Sequence, residues 1–239
     1  MAAMVAIYTA TVMTSAFMIR RPAPGYLPEG YTPPAPDSGS SAVVGNVNVG
    51  TVMKTPQFWL LFSTSTLLCT GGMGLMSVAK PMIGEVFTSS MPTLVTAGFA
   101  SSYLMAMAGG NLAGRLGWAA VSDKIGRRTT FNIFTIGAVP IFASLPFFIE
   151  RCVTDPTGPM APLYLGAFCA STVTAISVMG GVFAVLPAYE ADLYGPKYVQ
   201  AIHGRFLLAA TFSTIAGPML LLNLRKLAES SAIQGTKFA

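Results

Sequence analysis

Arg115 and Asn111 stand four residues apart inside a long apolar stretch, a spacing that puts a guanidinium and an amide on one helix face. A guanidinium is permanently charged and presents a planar fork of donors matched to a carboxylate, and within a membrane it is costly unless it faces a cavity or a partner. The apolar helix is expected to continue to about Ser122, which places Arg115 about 12 Å inside that end. Two readings stand for it: binding an anion in a cavity, or snorkelling with its stem in lipid and its head at the interface. Glu190, Asp192, His203 and Arg205 form a second group with charges of both signs near the start of the last apolar stretch. Because an imidazole titrates near neutral pH, this group either relays a proton or caps helix ends and makes interfacial ion pairs. A third group, Asp123, Lys124, Gly126, Arg127 and Arg128, fills a short turn between two apolar stretches. There Asp123 can accept hydrogen bonds near the next helix N-terminus while Gly126 permits a sharp bend. The basic residues of that turn also fit plain cytoplasmic anchors.

These groups are exceptions in a chain of 239 residues that is 53% hydrophobic and only 10% charged. A soluble domain carries roughly 25% charged residues, so the composition excludes a soluble globular enzyme. Six stretches lack Lys, Arg, Asp and Glu: 1–19, 55–79, 86–114, 129–149, 156–189 and 206–224. Crossing a hydrocarbon core of ~30 Å takes about 20 helical residues, so the expected fold class is an all-α, multi-pass membrane protein in the lipid bilayer with about six spans. The plasma membrane and an organelle membrane stay equally open. The first stretch lacks the basic start of a signal peptide.

Lys and Arg number three in 20–56, one in 80–91, four in 115–128, one in 150–161, two in 190–205 and three after 224. The alternation puts the first, third and fifth connections in the cytoplasm. The basic tail disagrees, and a missing final helix is the simplest repair. Four segments follow: a transmembrane helix at 1–19, a cytoplasmic linker at 20–56 with six prolines from Pro22 to Pro36, a five-span bundle at 57–224, and a polar tail at 225–239. Lys80 before Pro81 is expected to end the second span as a snorkelling anchor. Pairs of glycines such as Gly109-Gly110 and Gly180-Gly181 suit close helix packing, and Pro140, Pro146 and Pro187 suit kinks.

The net charge of +5 is scattered between apolar runs and forms no basic stripe with exposed aromatics, so nucleic acid is not expected as a partner. Three cysteines without a Cys-x-x-Cys pair argue against a zinc site or disulfide framework, and no metal or cofactor is expected. One histidine, no HExxH and no paired mid-membrane carboxylates leave no enzyme constellation.

Residues 114–129 read Gly-Arg-Leu-Gly-Trp-Ala-Ala-Val-Ser-Asp-Lys-Ile-Gly-Arg-Arg-Thr. Asp123, Lys124, Gly126, Arg127 and Arg128 match the D-[RK]-x-G-[RK]-[RK] core of the major facilitator superfamily's loop signature, in a short connection between two spans as that signature requires. The glycine that the signature carries four residues before the aspartate is Ala119 here. Arg20-Arg-Pro-Ala-Pro-Gly, Thr55-Pro-Gln-Phe-Trp, Asn111-Leu-Ala-Gly-Arg and Ala191-Asp-Leu-Tyr-Gly with Ala201-Ile-His-Gly narrow the resemblance to the oxalate/formate antiporter and monocarboxylate-transporter-like branch.

The resemblance implies a secondary active transporter of a small organic anion, working by alternating access. Its gate would be the Asp123 to Arg128 motif, and its anion site would include Arg115 with Asn111. It implies helices six to eleven of a twelve-helix fold, so the missing N-terminal half of the carrier would be a partner. Members that handle oxalate use a lysine midway along the eleventh helix, and none occurs between 198 and 225, which makes a monocarboxylate the better fit. A truncated, non-transporting membrane protein with a structural or regulatory role is the other reading.

Overall fold

A computed structural model describes residues 2–19 and 46–236, with side chains placed as far as 227. Most of the expected linker at 20–56 lies outside the described residues, as does Lys237. The chain falls into two units. The first contains α1, Ala2–Met18, whose 17 residues reach about 26 Å, slightly short of a ~30 Å hydrocarbon core.

The second unit is a bundle of α2 (Pro56–Met82), α3 (Ala97–Ile125), α4 (Arg127–Thr154), α5 (Ala161–Tyr194) and α6 (Val199–Thr236). Each expected apolar stretch is helical, but the ends differ. Pro56 opens α2 at a position where its missing N–H is not needed. The helix does not stop at Lys80: it passes Pro81 into a π turn, Ile83–Phe87, and on to Ser90, a continuous run of 35 residues. A π adjustment beside a proline is one way a membrane helix satisfies freed backbone groups, and it turns most of the expected 80–91 connection into helix. Helix α3 starts at Ala97 instead of 86, because the Thr96 hydroxyl accepts from the Phe99 N–H at 3.3 Å and caps it there. Helix α6 runs through the polar tail as far as the described residues go.

Among the described residues, Pro56–Ser90, Arg127–Thr154, Ala161–Tyr194 and Val199–Leu227 are long and apolar enough to cross a membrane. Helix α3 is of similar length at 29 residues, with Asn111, Arg115, Asp123 and Lys124 diluting its apolar character. No strand occurs among the described residues. Large apolar side chains such as Leu67, Met105, Ile136 and Leu163 are exposed, a surface that suits lipid. The chain is an all-α, multi-pass membrane protein.

The seams fix helix direction. Helices α2 and α6 run parallel, matched by Phe58 on Phe206 at 4.7 Å, Thr70 donating to Ser213 at 3.3 Å, and Glu85 with Arg225 at 2.9 Å. Helices α3 and α5 are also parallel, matched by Tyr103 donating to Thr172 at 2.9 Å and Trp118 donating to Ser177 at 3.1 Å. At one end of the bundle, the Val47 N–H meets the Tyr194 carbonyl at 3.0 Å and the Lys197 N–H meets Asn46 Oδ1 at 3.0 Å. Arg127 lies there too, 3.7 Å from Asp192. The connections rich in Lys and Arg therefore share an end. Gly126 (φ +89°) and Gly195 (φ +83°) cap α3 and α5 there in a backbone region that side-chain-bearing residues avoid.

Candidate functional site

Close approach of α3 and α5 builds the site around Arg115. A Cβ on Gly114 would collide with the Ser177 carbonyl, and one on Gly180 with the Asn111 carbonyl, so glycine alone lets these backbones touch. The seam lies nearer mid-helix than Ala119, which is only half-buried, so the signature's departure there leaves the tight approach to other glycines. Asn111 is fixed between the two helices: its Nδ2 donates to the Ile176 carbonyl at 3.5 Å and its Oδ1 accepts from Arg115 Nε at 3.2 Å. The guanidinium carbon lies 5.4 Å from the ring centre of Phe183 on α5, a cation–π separation.

The bond to Asn111 directs the Arg115 side chain away from the Ile125 end of α3, which is about 15 Å off along the helix. Arg115 is exposed, and among the described residues its two terminal nitrogens take no hydrogen bond or ion pair. One edge of the fork is held while the other is open, a geometry able to receive a carboxylate edge-on.

Arg127 dominates the turn between α3 and α4. Its Nη2 lies 2.5 Å from Asp123, its Nε 3.7 Å from Asp192 at the end of α5, and its Nη1 donates to Ser122. Lys124 is exposed, and Arg128 lines an open groove of about 540 Å³ beside Gln57, Asn132 and Tyr189. Half-exposed ion pairs of this kind contribute ~0–1 kcal/mol each, weak enough to be broken and remade as helices shift.

The group expected from Glu190, Asp192, His203 and Arg205 divides. Glu190 and His203 stay together, with Nδ1 at 3.0 Å and 3.2 Å from the two carboxylate oxygens, and Glu190 is wholly buried. Asp192 turns to Arg127 instead. Arg205 is half-buried and donates to the Ala201 carbonyl of its own helix at 2.6 Å. Two residues of alternation along α5 decide this split, sending one carboxylate into the bundle and the other to its edge. Among the described residues, no group of three or more His, Cys, Asp and Glu is gathered to hold a metal.

Sequence reasoning missed two partners. Phe183 gave no signal, since an aromatic in an apolar helix is ordinary. The Arg127 to Asp192 contact did leave one: Asp-x-x-Gly recurs at Asp123 to Gly126 and Asp192 to Gly195, each ending in a positive-φ glycine.

Compared with known proteins, the chain is 30% identical over 171 residues to a protein named oxalate:formate antiporter from Oxalobacter formigenes. The match takes in 71% of this chain and 36% of that protein, so the chain spans about a third of its relative's length. No protein-family model and no solved structure matches the chain.

Proposed function

We propose that this chain, which is 30% identical over 171 residues to the oxalate:formate antiporter and resembles the major facilitator superfamily in its Asp123 to Arg128 motif, forms part of a secondary carrier for a small organic anion, a monocarboxylate in particular. One observation carries the reading: Arg115 is anchored through Nε to Asn111, rests on Phe183 and leaves its terminal nitrogens open. A snorkelling arginine would instead extend along α3 toward Ile125. One cation neutralises one carboxylate, and the absence of lysine between 198 and 225 favours a monoanion over a dianion.

Carriers of this architecture rock two helical halves about a central site. The partner in this reading is a complementary N-terminal half facing the exposed side of Arg115. The Asp123, Arg127 and Asp192 cluster acts as a latch at the end of the bundle, biasing which face is open.

Equilibrium binding of labelled formate to the carrier assembled from both halves tests the proposal. Unlabelled acetate should displace formate at concentrations no higher than oxalate does. Displacement by oxalate at about tenfold lower concentration would overturn the monocarboxylate assignment, and absence of saturable formate binding would overturn the carrier reading.

A further inference from the structure

Glu190 has no exposed surface, and His203 is the side chain that meets its carboxylate among the described residues. An ionised carboxylate in that position beside a neutral imidazole is an uncompensated charge in a low-dielectric interior. One proton on the pair removes the excess, whether the imidazole or the carboxyl carries it.

The structure also offers that proton a route. Nδ1 of His203 is taken by Glu190, which leaves Nε2. His203 lines a cavity of about 10 Å³, about the room one water needs, together with Ser65, Cys69, Phe183 and Phe206. Ser65 is 2% exposed, and its hydroxyl has no hydrogen-bond partner. A buried hydroxyl without a partner is rare, and a bound water is the usual reason.

The other titratable groups on the surrounding elements are engaged elsewhere or carry no charge at neutral pH. Cys69 of α2 is a thiol in the cavity wall, and Tyr194 of α5 is a buried phenol. Asp192 of α5 and Arg127 of α4 face each other, Arg205 of α6 donates to its own backbone, and Lys197 of the turn lies over Tyr198.

We propose that Glu190 and His203 form a proton-binding site, reached through a single water held between His203 Nε2 and Ser65 Oγ. An excess proton that arrives on that water as hydronium binds Nε2 and leaves neutral water behind, the Nδ1–H faces Glu190, and the resulting pair is neutral as a whole. Release returns the proton to the water. Phe183 walls the same cavity and carries the Arg115 guanidinium on its ring, so the proton site and the anion site share a side chain. Coupling of proton to anion rests on the carrier reading, whereas the proton site does not.

His203 is the chain's single histidine, so its signals need no assignment. The full chain, labelled with 15N-histidine and held in lipid nanodiscs, is read by NMR at about pH 7.5, about a unit above an ordinary imidazole. Infrared spectra in H2O and D2O report the carboxylic acid band in parallel. The expected result is one proton on the pair, seen as an imidazolium or as a protonated carboxyl, with a neutral imidazole in Glu190→Gln. A neutral imidazole beside an ionised carboxylate in the wild type would overturn the proposal, and so would an imidazolium that persists in Glu190→Gln. The wild-type spectra decide even where the variant fails to fold. No anion is added, so failure of formate binding and failure of the proton site are separate results.

Discussion

Arg127 reaches two carboxylates from two helices, Asp123 on α3 and Asp192 on α5, and both carboxylates are exposed although the arginine itself is largely covered. Such contacts are weak singly, so in the proposed carrier they would tilt an equilibrium between states without locking it. Asp123→Asn should therefore change formate transport by roughly 1.5- to 5-fold, from a shift of ~0.2–1 kcal/mol, while leaving formate affinity unchanged. Uptake into proteoliposomes measured beside equilibrium binding checks this, and a loss of affinity with normal turnover would place Asp123 in the binding site. The motif from Asp123 to Arg128 was legible in sequence because one turn fixes all its spacings. Its Asp192 partner depends on where the end of α5 meets the start of α4, and only the repeated Asp-x-x-Gly hinted at it. Arg115 was legible as a charge in an apolar stretch, but Phe183 beneath it was not, because its role comes from packing alone.

Gly114 sets the separation of α3 and α5, and with it the position of Asn111 and Arg115. Gly114→Val places side-chain carbons on the Ser177 carbonyl, where backbone cannot yield cheaply, and should destabilise the bundle by ~1–3 kcal/mol. Gly117→Val is the matched control, since nothing lies within 4 Å of a Cβ there. Thermal unfolding in detergent should separate the two, and equal melting would show that the seam tolerates a wider spacing. The existence of each helix followed from long stretches without charge, whereas their ends did not. A threonine cap at Thr96, a π turn after Pro81 and glycines in the positive-φ region at Gly126 and Gly195 set those ends. Each is a local geometric event that an average over hydropathy cannot register.

Parallel pairing of α2 with α6 and of α3 with α5 gathers the Lys- and Arg-rich turns at one end and puts the Glu85 to Arg225 pair at the other. Single cysteines at Lys124 and Lys197, in a background with Cys69, Cys152 and Cys169 replaced by serine, should react with a membrane-impermeant maleimide from one side of the membrane. A cysteine at Asp155 should react from the other, and labelling of all three from a single side would contradict the arrangement. Within that frame Arg115 is the charge about which anion transport would turn. Labelled formate binding to the assembled carrier, compared between wild type and Arg115→Gln at matched abundance, tests this most directly. Loss of a charge-assisted hydrogen bond worth ~1.5–3 kcal/mol predicts affinity weaker by roughly 10- to 150-fold, and unchanged affinity would contradict the account.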